Sequence, residues 1–204
     1  MANRRQFIQR GIAISAASMV PMIAGAGLPT RPARTDNLVL AKIVFDRDFA
    51  DCRLFAQQAA RRGVSVHAIS GDVTDLWYDD LYHRWKDPQV TIAGLTTVSS
   101  LFCLERLAWK CDRRVIFRTD HVRRPDGGVD HALYGPETLL KRANPARYGT
   151  FWPRHMAQLV TSCPVQGAAA VRARTVVASA RGGVDDWVEP LASWIIALNP
   201  RLRS

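Results

Sequence analysis

The sequence predicts a single α/β domain, with a mostly parallel sheet in a three-layer arrangement and an antiparallel hairpin near residues 114–134. Two observations carry that expectation. Between residues 38 and 119, short β-branched runs alternate with longer stretches of helical periodicity, joined by connections of ordinary length, as in successive βαβ units. The chain has 204 residues, 48% of them hydrophobic, which suffices for one core. No repeat or second domain is legible, so residues 38–204 are expected to fold together.

Each element has a local reason. Leu38 to Phe45 reads as a first strand. The helix expected over Phe49 to Arg62 puts Phe49, Cys52, Phe55, Ala56 and Ala59 on one side and stops at Gly63, a C-cap. Val64 to Ile69 is the second strand. The helix from Val73 to Lys86 aligns Val73, Trp77, Leu81 and Trp85 opposite Asp75, Asp79 and His83. Val90 to Gly94 is the third strand, and Gly94 is expected to let the backbone turn into a largely apolar helix from Val98 to Cys111. Arg114 to Thr119 reads as a fourth strand, and Val115 to Val122, a turn at Asp126-Gly127 and Val129 to Tyr134 read as an antiparallel hairpin. From Glu137 to Ser162 two helical pieces are expected, split near Asn144-Pro145 and Trp152-Pro153. Val171 to Ala180 is the last expected strand. Asp185 to Leu198 reads as an amphipathic helix, burying Trp187, Val188, Leu191, Ile195 and Leu198, with Pro190 in its first turn.

The first 26 residues have the form of an export signal. Asn3-Arg4-Arg5-Gln6-Phe7-Ile8 precedes an uncharged run from Gly11 to Leu28, and Ala24-Gly25-Ala26 supplies an A-x-A cleavage site. This segment resembles the signal peptides of the twin-arginine (Tat) translocase, with Asn3 where Ser or Thr is commoner and Gln9 where Lys often stands. The resemblance implies a protein exported already folded, with the Tat translocase as partner, cleavage near Ala26 and a periplasmic destination. Residues 27–37 would then be a linker. The run is interrupted by Pro21 and is short and weakly apolar for a membrane anchor, so no stable membrane span is expected after cleavage. Nor does it have the polar face of an amphipathic helix.

Charge points the same way. Removal of the signal takes away Arg4, Arg5 and Arg10 and no acid, lowering the formal charge from +10 to +7. The remaining arginines are dispersed, the densest groups being pairs such as Arg61-Arg62 and Arg123-Arg124. A nucleic-acid site concentrates its charge, so no nucleic-acid partner is expected. Cys52, Cys103, Cys111 and Cys163 would allow up to two disulfides in an oxidising compartment. Cys103 and Cys111 are too far apart on one helix to bridge each other, and buried thiols are the alternative, for Cys103 in particular.

No P-loop, G-x-S-x-G, H-E-x-x-H or dinucleotide fingerprint is present. The ligand site expected of a parallel sheet lies beyond the carboxyl ends of its strands. There the sequence places Asp46 and Asp48, Ser70-Gly71-Asp72, and the loop holding Thr96, Thr97, Ser99 and Ser100. Hydroxyls beside free N–H groups at a helix start suit an anion, and Thr97 serves equally as a simple N-cap.

The stretch Asp46-Arg47-Asp48 after an apolar strand resembles the nucleophile motif of haloacid-dehalogenase-like phosphatases. That resemblance implies attack by Asp46 on phosphorus, Asp48 as acid and base, Thr96 or Thr97 on the phosphate, and Mg²⁺ bridging to Asp120. Ala50 stands in place of that family's Thr, and carboxylates at a helix start also serve its dipole.

Three further residues or groups invite chemistry. Glu105 falls inside the apolar arc of its helix, either as a buried acid/base group or in an ion pair with an arginine such as Arg118. Asp120-His121 and Asp130-His131 lie on the two arms of the hairpin. A three-residue loop would make His121 and His131 cross-strand neighbours able to share a metal with Asp120, and a two-residue loop would separate them. Tyr82, at the edge of an aromatic stretch, is a candidate ligand contact.

Two functions follow from these residues. One is a periplasmic binding or accessory protein, serving an exported redox partner and holding an anion at the strand edge, with no cofactor assigned. The other is a small phosphoester or acyl hydrolase using Asp46, Asp48 and the Thr96–Ser100 loop, with Glu105 as a further catalytic candidate.

Overall fold

A computed structural model describes residues 39–162, 172–179, 187 and 189–199. The export segment at 1–26, the linker at 27–37 and Cys163 lie outside the described residues.

The α/β alternation is as read through residue 109. Strand β1 (Val39–Asp46) leads through α1 (Ala50–Arg61) to β2 (Val66–Ile69). Residues 74–84 form one helical passage: α2 (Thr74–Leu76), a π-helical turn (Trp77–Leu81) and α3 (Tyr82–Arg84). Then come β3 (Val90–Thr97) and α4 (Val98–Trp109). The hairpin of β4 (Arg113–Arg123) and β5 (Val129–Pro136) is followed by α5 (Glu137–Arg142), a 3-10 segment (Pro145–Phe151), α6 (Trp152–Thr161), β6 (Arg172–Ser179) and β7 (Leu191–Leu198).

The sheet has seven strands in the order β2-β1-β3-β7-β4-β5-β6. Among the described residues β1–β2 and β1–β3 are parallel and the other four pairs are antiparallel, so the sheet is mixed where a mostly parallel one was expected. The reason is β7. Residues 191–198, expected as a helix, form a strand inserted between β3 and β4 and antiparallel to both. Every residue from Leu191 to Ala197 is buried, so no period-2 alternation marks the strand, and its apolar run is compatible with a helix as well. Pro190 does not start a helix. Its carbonyl accepts the Val98 N–H at 3.0 Å.

Gly94 does not turn the chain either. It lies inside β3, opposite Trp194, where a Cβ would come within 2.4 Å of the Val44 carbonyl oxygen and 2.6 Å of the indole. Its missing side chain makes room for Trp194, whose Nε1 donates to Thr96 Oγ1 at 3.1 Å.

Both faces of the sheet carry helices and each has its own core. Phe55 of α1, Leu139 of α5 and Trp152 and Met156 of α6 pack on Leu95, Phe117, Leu133 and Ile195. Leu76, Trp77, Leu81, Leu101 and Leu104 pack on Val44, Ile92, Trp194 and Ile196. Burying a large aliphatic or aromatic side chain is worth about 1.5–3 kcal/mol. Among the described residues, the apolar cluster on this second face reaches β4 through Val115, while Arg174, Val176 and Ala178 of β6 are exposed.

Cys103 and Cys111 carry free thiols. Cys52 is buried in α1, but Cys103, expected inside the core, is exposed.

Candidate functional site

The chain passes from β1 to β2 over one face and from β2 to β3 over the other, so the crossover direction reverses between β1 and β3. Ligand crevices form beyond the carboxyl ends of strands at such a reversal. Asp46 closes β1 there and Thr97 closes β3.

Asp46 is buried, and its carboxylate accepts the Asp48 N–H at 3.1 Å and the Gly71 N–H at 3.2 Å. Burial raises its carboxyl above the usual range, and the Asp48 and Glu189 charges push the same way against those two N–H groups. Asp48 accepts a hydrogen bond from Ser70 Oγ. Ser100 Oγ donates to the Gly71 carbonyl at 2.8 Å, joining the α4 start to the loop after β2. Asp46, Asp48, Ser70, Gly71, Thr97, Ser99 and Ser100 therefore form one connected edge.

The start of α4 is already supplied with acceptors. Pro190 O takes the Val98 N–H, Glu189 Oε1 takes the Ser99 N–H at 3.3 Å together with its hydroxyl, and Thr97 Oγ1 takes the Ser100 N–H at 3.2 Å. A carboxylate of the chain itself thus stands where the sequence suggested an anion, and Thr97 is an N-cap. Thr96 is fully buried under Trp194. Asp72 accepts from the Thr74 N–H at 2.8 Å and its hydroxyl at 2.7 Å, which lowers the Asp72 carboxyl and fixes the first turn of α2. Asp120 is three strands from Asp46, roughly 14 Å at normal strand spacing, and its Oδ1 accepts from Arg118 Nε at 2.6 Å.

The hairpin has the three-residue loop. The Arg124 N–H donates to Gly128 O at 2.8 Å, and Gly127 takes φ +79°. His121 and His131 are therefore direct partners, with Nδ1 atoms 2.7 Å apart. His121 Nε2 lies 3.0 Å from Ser193 Oγ of β7. All three residues are buried, and the Trp152 ring lies 4.0 Å from the His121 ring, centroid to centroid.

Burial holds both imidazoles neutral. It lowers His131 to about 4 and places His121 well below its usual range, with the neighbouring His131 adding to the effect on His121. Side chains alternate along β4, so Asp120 faces the other side of the sheet from His121. Among the described residues no group of three His, Cys, Asp or Glu side chains is placed to hold a metal.

The second face holds a pocket of about 480 Å³ lined by Glu105, Val115, Arg118, Tyr134, Ala173 and Arg174 among others. It lies toward the amino-terminal half of β4, away from the carboxyl edge. Arg118, Tyr134 and Arg174 form one rung across β4, β5 and β6, and the Arg174 guanidinium lies 5.4 Å from the centre of the Tyr134 ring. Glu105 is half-buried rather than buried, and Arg118 pairs with Asp120 instead of with it.

Tyr82 is about half exposed and packs edge-on against Trp77 at 5.8 Å, outside this pocket. Glu189, Ser193, Tyr134 and Arg174 carry no motif, and their partners are set by the tertiary structure, through strand pairing or, for Glu189, the approach to α4.

Compared with known proteins, the chain matches no family model, no curated protein and no solved structure.

Proposed function

We propose that this chain is a Tat-exported periplasmic α/β binding protein, acting as an accessory to an exported system, whose ligand enters the pocket between α4 and the β4–β5–β6 face. The observation that carries this reading is the rung of Arg118, Tyr134 and Arg174 lining a cavity of about 480 Å³, within the size range of small-molecule sites. The same rung supports moving the anion-binding role from the carboxyl edge, where Glu189 already serves the α4 N–H groups, to the arginine side. The Arg4-Arg5 pair and the Ala24-Gly25-Ala26 site support export, and a redox enzyme of the same compartment is the proposed partner class.

The test is native mass spectrometry of protein purified from the periplasm, wild type beside Arg174→Ala. A bound small molecule present in the first and lost in the second is the expected result. A wild type that carries nothing and responds to no anion overturns the reading.

One observation favours a second reading, a hydrolase. Asp46 is a buried carboxyl raised above its normal range at the crossover reversal, the combination found in acid/base and nucleophilic groups. Turnover of a generic phosphoester with Mg²⁺, abolished by Asp46→Asn, would establish it, and an inert wild type would remove it.

A further inference from the structure

The pocket holds two opposite charges that do not neutralise each other. Arg118 spends its Nε on Asp120, at 2.6 Å, and so enters the cavity already matched by a carboxylate. Arg174 is held by the Tyr134 ring, and among the described residues it belongs to no ion pair. Glu105 lines the same cavity from α4, half-buried, and likewise belongs to no ion pair among the described residues. A half-buried carboxylate with no counter-charge is open to pairing with a ligand cation. The Arg174 guanidinium is exposed, and it offers charge-assisted donors to a ligand anion.

The sheet fixes the order of these groups. α4 packs beside β4, Tyr134 stands on β5 and Arg174 on β6, so Glu105 lies on the β4 flank of the pocket and Arg174 on its β6 flank. Adjacent strands lie about 4.8 Å apart, so the backbones carrying Arg118 and Arg174 are separated by about 10 Å. Val115 and Ala173 add apolar lining.

We infer that the pocket takes a small zwitterion of dipeptide size, its ammonium on Glu105, its carboxylate on Arg174 and its apolar or aromatic body over Tyr134. This rests on the binding reading above and adds the class of ligand. Arg118, with its Nε committed to Asp120, supplies a second donor to the carboxylate through its terminal nitrogens.

The test uses the full mature chain and four probes: alanyl-phenylalanine, its N-acetyl form, its C-terminal amide and 3-phenylpropionate. Binding is read by calorimetry and by thermal midpoint at about 10 mM probe, where even a weak ligand raises the midpoint. The free dipeptide should bind, and each cap should weaken it about tenfold or more, since each leaves one pocket charge unmatched. In Glu105→Gln the penalty for N-acetylation should vanish while the penalty for the amide remains. In Arg174→Gln the reverse should hold. Both positions are partly exposed, so both variants should fold, with circular dichroism as the check.

Equal binding of the free and N-acetylated dipeptides, or tighter binding of 3-phenylpropionate, overturns the zwitterion and leaves an anion-binding pocket standing. No response to any probe, with a wild type that carries no native ligand, overturns both.

Discussion

His121 Nδ1 and His131 Nδ1 are 2.7 Å apart in the middle of the sheet, a direct hydrogen bond between two buried imidazoles. One nitrogen must carry a proton and the other must not, so the bond tolerates one protonation but not two, and burial of both rings opposes even the first. Ser193 Oγ extends the chain from His121 Nε2 at 3.0 Å, and Trp152 closes it from above. The order hydroxyl, imidazole, imidazole matches a nucleophile, a base and a group that orients the base, but here it is enclosed in the core.

Acid should therefore unfold this protein early. Both histidines have folded-state values below the unfolded 6.5, so their contribution is complete above pH 6.5 and is lost as pH falls toward about 4 for His131 and lower for His121. His67 and His155 are lowered too, mainly by burial, and act in the same sense. His131 alone accounts for about 3 kcal/mol between those limits, at roughly 1.4 kcal/mol per unit. Urea midpoints between pH 6.5 and 5, above the main carboxylate range, should fall steadily. A flat profile there would contradict the buried neutral pair.

Ser193→Ala should cost about 1–3 kcal/mol, because it leaves His121 Nε2 buried with its partner gone. Little cavity forms, so the loss is chiefly polar, and denaturant midpoints at pH 7.5 measure it.

Gly94→Ala should be severe. The added methyl would meet the Val44 carbonyl and the Trp194 ring at distances no real Cβ occupies, in a central strand that cannot shift, at a cost of about 3 kcal/mol. Gly127→Ala is the control. Nothing lies within 4 Å of its Cβ, and only the positive φ is strained, about 1–2 kcal/mol. Equal effects of the two would refute the close approach of Trp194.

Glu189→Ala should expose the Ser99 N–H at the α4 start. We expect a loss of about 1 kcal/mol or less, part of it recovered by millimolar phosphate, which would occupy the vacated position. Thermal midpoints with and without phosphate decide this, and a variant indifferent to phosphate would show that Glu189 does not stand in for an anion.

Asp46→Asn should keep the fold, with an unchanged or higher midpoint at pH 7. Burial disfavours the ionised carboxylate, and the amide oxygen can still accept from Gly71 or Asp48. A large loss of stability would mean that the charge itself holds the edge together.

Much of this fold is written in short-range pattern. The alternation of β1, α1, β2 and β3 is visible because apolar periodicity switches there between strand and helix spacing, and Asp126-Gly127 marks the hairpin because the turn needs a residue at positive φ. Thr97 is legible as a cap for the same kind of reason, since its partner, the Ser100 N–H, is three residues away. Leu191 to Leu198 was not legible. A strand buried on both faces loses the alternation that identifies it, and its neighbours β3 and β4 come about 70 to 100 residues earlier in the chain.

The candidate sites divide along the same line. Local pattern identifies the residues able to carry chemistry at the ends of β1 and β3, and shows that His121 and His131 meet if the loop has three residues. The entry of β7 into the centre of the sheet is a property of the packed whole. That one insertion brings Ser193 to His121, Glu189 to Ser99 and Trp194 over Gly94, contacts spanning 72 to about 100 positions. Such contacts depend on strand order, which is settled by the burial of whole faces at once, and no local spacing encodes it.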